Sequence, residues 1–127
     1  MKNISWDEYQ QLVDKLAKKI NFKKNKFNLI VAINRGGNVV GTMLSHKSKV
    51  PLKILHTDEF MWIGKEGDKI LLVDDLSDTG KTFIEVLTWF PERIVKTACV
   101  HVKDGTKFIP DYFVENTNND WIVYPYE

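Results

Sequence analysis

Apolar positions recur along this chain in two rhythms, and their alternation lays out the expected elements. Tyr9, Leu12, Val13, Leu16, Ala17 and Ile20 return at intervals of three and four with lysines opposite, the period of a helix that buries one stripe. Ser5 and Glu8 stand three apart just ahead of that stripe, the spacing of a capping box, so the helix is expected to begin there. A polar link over 21–26 leads to a strand over 27–33, whose unbroken apolar run reads as buried on both faces. Val39, Val40, Met43 and Leu44 mark a second helix from 38 to about 47, and Pro51 stops it before a short strand at 52–55. A second buried run, Ile70 to Val73, breaks into a polar turn and then a helical segment, 83–89, which Pro91 closes. A long apolar run over 93–102, a short strand at 111–116 and an aromatic tail complete the pattern.

Composition narrows the class without naming it. With 127 residues and 43% hydrophobic content, residues 1–127 fit a single domain and leave no room for a second. Net charge is +1 with the two signs interspersed, which argues against a nucleic-acid surface; the local basic run of Lys15, Lys18, Lys19, Lys23, Lys24 and Lys26 reads as a solvated helix face and loop. Cys99 is the sole cysteine and lies in an apolar stretch, so it reads as a buried inert thiol in a reducing cytoplasm. No apolar run approaches the roughly 20 residues of a membrane helix, and no signal core follows Met1, so a soluble, unexported chain is expected. His46 and His56 have no partners at metal-ligand spacing.

Chemistry concentrates where the second buried run stops. Ile70-Leu71-Leu72-Val73 drives into Asp74-Asp75 and then Leu76-Ser77-Asp78-Thr79-Gly80-Lys81-Thr82, and the carboxyl end of a parallel strand is where open α/β sheets bind ligands. Backbone amides at the start of the next helix, with the hydroxyls of Ser77, Thr79 and Thr82, can converge on one anion as a phosphate cradle. Gly80-Lys81-Thr82 copies the end of the P-loop pattern, but the first glycine of that pattern would fall on Asp75, whose charge has the wrong sign for phosphate. A receiver-type acidic metal pocket explains the paired aspartates and leaves the Ser-Asp-Thr-Gly-Lys-Thr tail unexplained. Ribose 5-phosphate satisfies both halves, with the carboxylates on its 2- and 3-hydroxyls and a hydrated magnesium ion and the turn on its 5-phosphate. The plainer alternative is an ordinary strand-turn-helix with a solvated acidic turn.

Two more loops stand at strand carboxyl ends. In Asn34-Arg35-Gly36-Gly37 the glycines let backbone close on a ligand, and Arg35 offers a fork of donors suited to pyrophosphate, although Gly-Gly after a strand is also a common tight turn. Lys103-Asp104-Gly105 follows the third run, so the Lys103 ammonium is placed at the shared crevice. Between 56 and 68, Phe60, Met61, Trp62 and Ile63 suit a hairpin or a subunit contact, and Gly64 and Gly67 bound a turn carrying Lys65. Strand-helix alternation with three such loops predicts a Rossmann-like α/β fold. It has a mainly parallel sheet of about five strands, flanking helices and a small C-terminal hood formed by about 104–127.

The stretch 70–82 closely resembles the 5-phosphoribosyl-1-pyrophosphate (PRPP) signature of the type I phosphoribosyltransferases, departing at Ser77, where that family usually carries an aliphatic residue. Trp6-Asp7, Arg35-Gly36-Gly37, Lys103 and Trp121-Ile122 followed by Pro125-Tyr126-Glu127 extend the resemblance over nearly the whole chain, toward the xanthine-guanine phosphoribosyltransferases. The resemblance implies a magnesium-dependent purine-salvage enzyme that moves the 5-phosphoribosyl group from PRPP to N9 of guanine, hypoxanthine or xanthine and releases pyrophosphate. It implies PRPP binding by Asp74, Asp75, Ser77, Asp78, Thr79, Gly80, Lys81 and Thr82, with Mg2+ on Asp74 and Asp75 and with Asp78 as catalytic base. Arg35 and Gly36 would bind pyrophosphate across a cis Asn34-Arg35 peptide bond. Lys103 would donate to the purine 6-oxygen, Trp121 would stack on the ring, the Ile122 backbone would meet its exocyclic edge, and Glu127 would lie near the 2-substituent. Trp121 could equally be a core anchor of the tail. A homodimer or homotetramer is implied, and residues 56–69 stand where the family has a longer mobile loop. The same fold also admits a regulator that senses PRPP or a nucleotide without turnover.

Overall fold

In chain order the computed structural model, which describes residues 1–56, 67–90 and 94–127, runs β1 (Lys2–Asn3), α1 (Trp6–Ile20), β2 (Leu29–Ile33), α2 (Gly37–Ser48), β3 (Leu52–Leu55), β4 (Lys69–Val73), β5 (Leu76–Ser77), α3 (Lys81–Leu87), β6 (Ile94–Val102), β7 (Tyr112–Asn116) and β8 (Ile122–Val123). The six strands β2 to β7 form one sheet in which every pairing is parallel. Sequence periodicity anticipated the parallel arrangement and about five of these strands.

The unbroken apolar runs are explained by burial on both sides of the sheet. In β4, Leu71 and Val73 pack with Tyr9, Val13 and Leu16 of α1 and Val40 and Leu44 of α2. Ile70 and Leu72 pack on the opposite face with Phe83 and Val86 of α3. All four strand residues are fully buried, so alternation of side chains sends successive apolar groups into two different cores. Helix α1 begins at the expected cap: the Ser5 hydroxyl accepts from the Glu8 amide at 3.1 Å, while Tyr9, Leu12, Val13, Leu16 and Ile20 form its buried stripe. The lysines of the basic run are exposed.

Two departures from the sequence reading shape the site. Residues 74–82 are not one turn. Val73 pairs with Ala98 and Leu76 with His101 along the same strand, so β5 resumes the ladder of β4 after a break at Asp74-Asp75. Asp75 C=O accepts from both Val100 N (3.0 Å) and His101 N (3.1 Å) across that break. The second departure is a small parallel sheet of β1 and β8, in which Lys2 N donates to Trp121 C=O at 2.7 Å and Ile4 N to Val123 C=O at 2.8 Å. It fastens the hood to the start of α1.

Candidate active site

The break between β4 and β5 turns two carboxylates out of the sheet. Asp74 Oδ1 accepts from Asp75 N at 2.8 Å, and Asp75 Oδ2 accepts from the Tyr126 hydroxyl at 3.1 Å. Burial, then the neighbouring Asp75 charge, push the Asp74 carboxyl well above its ordinary range. A cation bound to the pair would offset both penalties on the charged form. Magnesium is commonly taken by one or two carboxylates together with ligand oxygens and water, and this pair meets that requirement. Gly36 comes within reach of the same group: a Cβ there would lie 2.5 Å from Asp75 Oδ2, so a side chain at 36 would require the Asp75 carboxylate to move. That loop leaves β2 through a cis Asn34-Arg35 peptide bond. It is tied down by Asn34 N to Leu55 C=O (2.8 Å) and by Asn38 Nδ2 to Asn34 Oδ1 (2.9 Å). Arg35 is exposed above it.

Beyond β5, residues Ser77, Asp78, Thr79, Gly80 and Thr82 wall a small concavity of about 70 Å³. Gly80 sits at φ 89° immediately before α3, and a Cβ there would lie 2.6 Å from Phe108 N; positive φ and close approach both demand glycine. The loop after β6 is stitched onto this turn. Lys103 N donates to Ser77 C=O (2.9 Å), Lys107 N donates to Thr79 C=O (3.0 Å), and Phe108 stacks on Phe83 at 5.1 Å. Ser77 was expected among the phosphate donors, but its hydroxyl is taken up in the stitching: the residue is 1% exposed, donates to Phe108 C=O at 2.7 Å and lies 3.1 Å from the Thr106 hydroxyl. The reason is the replacement noted above, since a hydroxyl buried in this turn must find a partner. Thr79, Lys81 and Thr82 are exposed at the cradle, with Thr79 Oγ1 accepting from Lys81 N at 3.2 Å.

A second concavity, about 110 Å³, opens beside the first and is walled by Asp75, Asp78, Lys103, Trp121, Ile122 and Glu127 among others. Lys103 Nζ lies 3.1 Å from Asp78 Oδ1, which sets a donor cation and an acceptor anion side by side. Trp121 is 67% exposed, so its indole is a free face and not a core anchor. In β8 the ladder to β1 uses Trp121 C=O and both backbone groups of Val123, and strand alternation leaves the amide and carbonyl of Ile122 outside it. Thr117, 5% exposed, also lines this cleft with a hydroxyl that has no hydrogen-bond partner.

The structure thus brings Asp74, Asp75, Asp78, the 79–82 turn, Gly36, Lys103, Trp121, Ile122 and Glu127 to one end of the sheet. Phe60 to Ile63 and Lys65 lie outside the described residues, and so does most of 56–69. His46 and His56 are exposed. Cys99 is buried, its thiol donating to His101 C=O at 3.0 Å and pushed up by burial. Sequence reading missed the support behind Asp75, namely Tyr9, Tyr124, Tyr126 and His101. Aromatic residues in the tail were the available signal, and nothing local shows which strand they reach.

An acid pair, a hydroxyl-lined turn and a cleft walled by Lys103 and Trp121 thus share the carboxyl end of one parallel sheet. The chain belongs to the phosphoribosyltransferase family: the phosphoribosyl transferase domain matches residues 5–127. Among solved structures it is similar to a purine phosphoribosyltransferase from Pyrococcus horikoshii Ot3 (29% identity, 99% of this chain and 93% of that chain, TM-score 0.86). The Helicobacter pylori xanthine-guanine-hypoxanthine phosphoribosyltransferase shares the fold at 21% identity (98% and 92% covered, TM-score 0.87). A hypothetical protein from Neisseria gonorrhoeae with bound ppGpp shares it at 22% identity (99% and 89% covered, TM-score 0.81).

Proposed function

We propose that the protein is a purine phosphoribosyltransferase that transfers the 5-phosphoribosyl group of PRPP to N9 of a 6-oxopurine, with guanine preferred. The observation that carries this reading is the Lys103-Asp78 pair facing the Trp121 cleft. A 6-oxopurine protonated at N7 presents an acceptor oxygen and a donor N–H on adjacent edge positions, which complement an ammonium and a carboxylate. Adenine sets an amino donor against the ammonium, leaving it without a partner at a cost of about 1–3 kcal/mol.

In this reading the 79–82 turn receives the 5-phosphate, Asp74 and Asp75 receive the ribose hydroxyls, and Arg35 with the Gly36 backbone receives pyrophosphate. Asp74 and Asp75 would hold Mg2+, which supplies charge stabilisation to the leaving pyrophosphate. The bond from the anomeric carbon to pyrophosphate oxygen breaks, the N9 lone pair forms the new bond, and the N7 proton passes to Asp78 as catalytic base. The Trp121 face stacks on the ring, the Ile122 backbone meets the exocyclic edge, and the Glu127 carboxylate favours the 2-amino group of guanine over the 2-oxo group of xanthine. Ser77 contributes its backbone position, its hydroxyl being bonded elsewhere. A homodimer or homotetramer working in the cytoplasm on small-molecule substrates, without nucleic acid or membrane, completes the reading. Among the described residues no helix is long and apolar enough to cross a membrane.

The second reading, a regulator that senses PRPP or a nucleotide without turnover, draws on the ppGpp-bound Neisseria protein, since that ligand joins guanine, ribose and phosphates. Steady-state pyrophosphate release with magnesium, PRPP and each of guanine, hypoxanthine, xanthine and adenine separates the two. The enzyme reading expects that order of efficiency and loss of the guanine-over-adenine preference in Lys103→Ala. Tight ppGpp binding with no release for any base would favour the regulator.

A further inference from the structure

Asp75 is approached from two sides by parts of the chain far from it in sequence, and held from one of them. On one side lies the Gly36 backbone, close enough that a Cβ built there would fall 2.5 Å from Asp75 Oδ2. On the other, Tyr126 donates its hydroxyl to Asp75 Oδ2 at 3.1 Å. The Tyr126 ring cannot swing away without disturbing three neighbours. It stacks on Tyr124 at 5.5 Å with 3° between planes, meets Tyr9 edge-on at 5.5 Å, and lies 6.3 Å from Trp6. Tyr124 is itself fixed by His101 Nδ1 at 2.8 Å and reaches the Asp75 backbone carbonyl at 3.4 Å, while His101 Nε2 is held by Glu115 at 2.9 Å.

Tyr126 belongs to the hood, adjacent in sequence to Glu127 and a few residues past Trp121 and Ile122, all of which line the base cleft. Resting on the function proposed above, we propose that Tyr126 is a positioning residue for PRPP. Its hydroxyl engages one oxygen of Asp75 and sets the carboxylate's rotation, leaving the other oxygen to the ribose hydroxyls. A rigid aromatic stack backs the bond, so the tail that receives the base also orients the carboxylate that receives the sugar. Tyr124 differs in kind: it touches the Asp75 backbone and not its carboxylate.

Tyr126→Phe keeps the ring and removes only the donor. Isothermal titration with magnesium and PRPP is expected to show a dissociation constant raised about tenfold, the effect of losing one hydrogen bond to a charged group. In steady state KM for PRPP is expected to rise in parallel, with KM for guanine and kcat within about twofold. In an Asp75→Asn background the same substitution is expected to add less than about twofold, since its action runs through that carboxylate. Tyr124→Phe is expected to lower Tm without changing PRPP affinity. Unchanged PRPP affinity in Tyr126→Phe, or a full additive loss on top of Asp75→Asn, would overturn the positioning role. Failure of the wild-type protein to bind magnesium and PRPP would instead overturn the function on which it rests.

Discussion

Asp74 stands at the end of a strand whose four preceding residues are fully buried, with Asp75 as its neighbour, and both surroundings disfavour its charge. A folded-state value above the unfolded one means that the folded chain binds the extra proton. That contribution to stability is present in acid and is lost as pH rises through the folded value. Asp74→Asn removes this opposition, so at neutral pH the ligand-free variant is expected to gain a few degrees in Tm and to bind magnesium and PRPP about tenfold or more weakly. Differential scanning fluorimetry and calorimetric titration check the two halves; a lower Tm with unchanged affinity would remove Asp74 from the metal and ribose site. Asp78 is expected to behave differently, because it lines the Trp121 cleft, half-exposed and paired with Lys103. Asp78→Asn is expected to lower kcat by about a hundredfold with little loss of PRPP binding, as removal of a proton acceptor does. Loss of PRPP binding in place of rate would make it structural. His101 carries the opposite sign to Asp74: burial lowers its value below 6.5 despite Glu115, so the unfolded chain takes up the proton first and stability falls as pH drops through about 6.5. The Tm advantage of wild type over His101→Gln is therefore expected to shrink between pH 8 and 5.5, and a constant gap would contradict a neutral buried imidazole.

Elements explain why some of this was legible in the sequence and some was not. The acid pair, Asp78 and the 79–82 turn are contiguous in sequence because one loop region at the carboxyl end of β4 carries them all, so a single stretch displayed them together. The runs at 29–33, 70–73 and 98–100 stood out because burial on both faces keeps them apolar, whereas the strands around the last of these and at 52–55 carry Lys96, His101 and Lys53 and were read from their apolar majority. By contrast β1, β5 and β8 have two residues each, too few for any period, and they form only where a distant partner fixes their register. Leu76-Ser77 was therefore read as part of a turn. The Ser77 hydroxyl looked like a ligand for the same reason, since its partners Thr106 and Phe108 lie some 30 positions away. Lys103 was placed at the crevice by its position after the third run, while its purine role and those of Trp121 and Ile122 entered through family resemblance; the Lys103 approach to Asp78 depends on the stitching of the 103–108 loop to the 77–80 turn. Gly80 is where that stitching is most exposed to mutation. Gly80→Ala combines an unfavourable positive φ with a collision against the Phe108 backbone, and a loss of about 2 kcal/mol or more in urea unfolding is expected, together with weaker PRPP binding. A loss below about 0.5 kcal/mol would show that the two loops are not held in register there.

At the scale of the whole molecule, one parallel sheet brings the 34–37, 74–82 and 103–108 loops to a single end, where Trp121, Ile122 and Glu127 of the tail line the same cleft as Asp75 and Lys103. The end of the tail is fastened by the β1-β8 pairing to the start of α1 and by the Tyr124-Tyr126 stack meeting Tyr9 edge-on, while β7 before it is part of the main sheet. The 79–82 turn, the acid pair and the Trp121 cleft are therefore parts of one surface, and the proposed transfer needs its two substrates held side by side in this way. The measurement that bears most directly on this arrangement is product formation itself: isotopically labelled guanine, PRPP and magnesium are incubated with the protein, and guanosine 5'-monophosphate and pyrophosphate are quantified together by chromatography and mass spectrometry. Equimolar appearance of the two products, dependent on magnesium and reduced about a hundredfold in Asp78→Asn, is the expected result. Binding of both substrates with no nucleotide formed, or pyrophosphate released without nucleotide, would contradict phosphoribosyl transfer to the base.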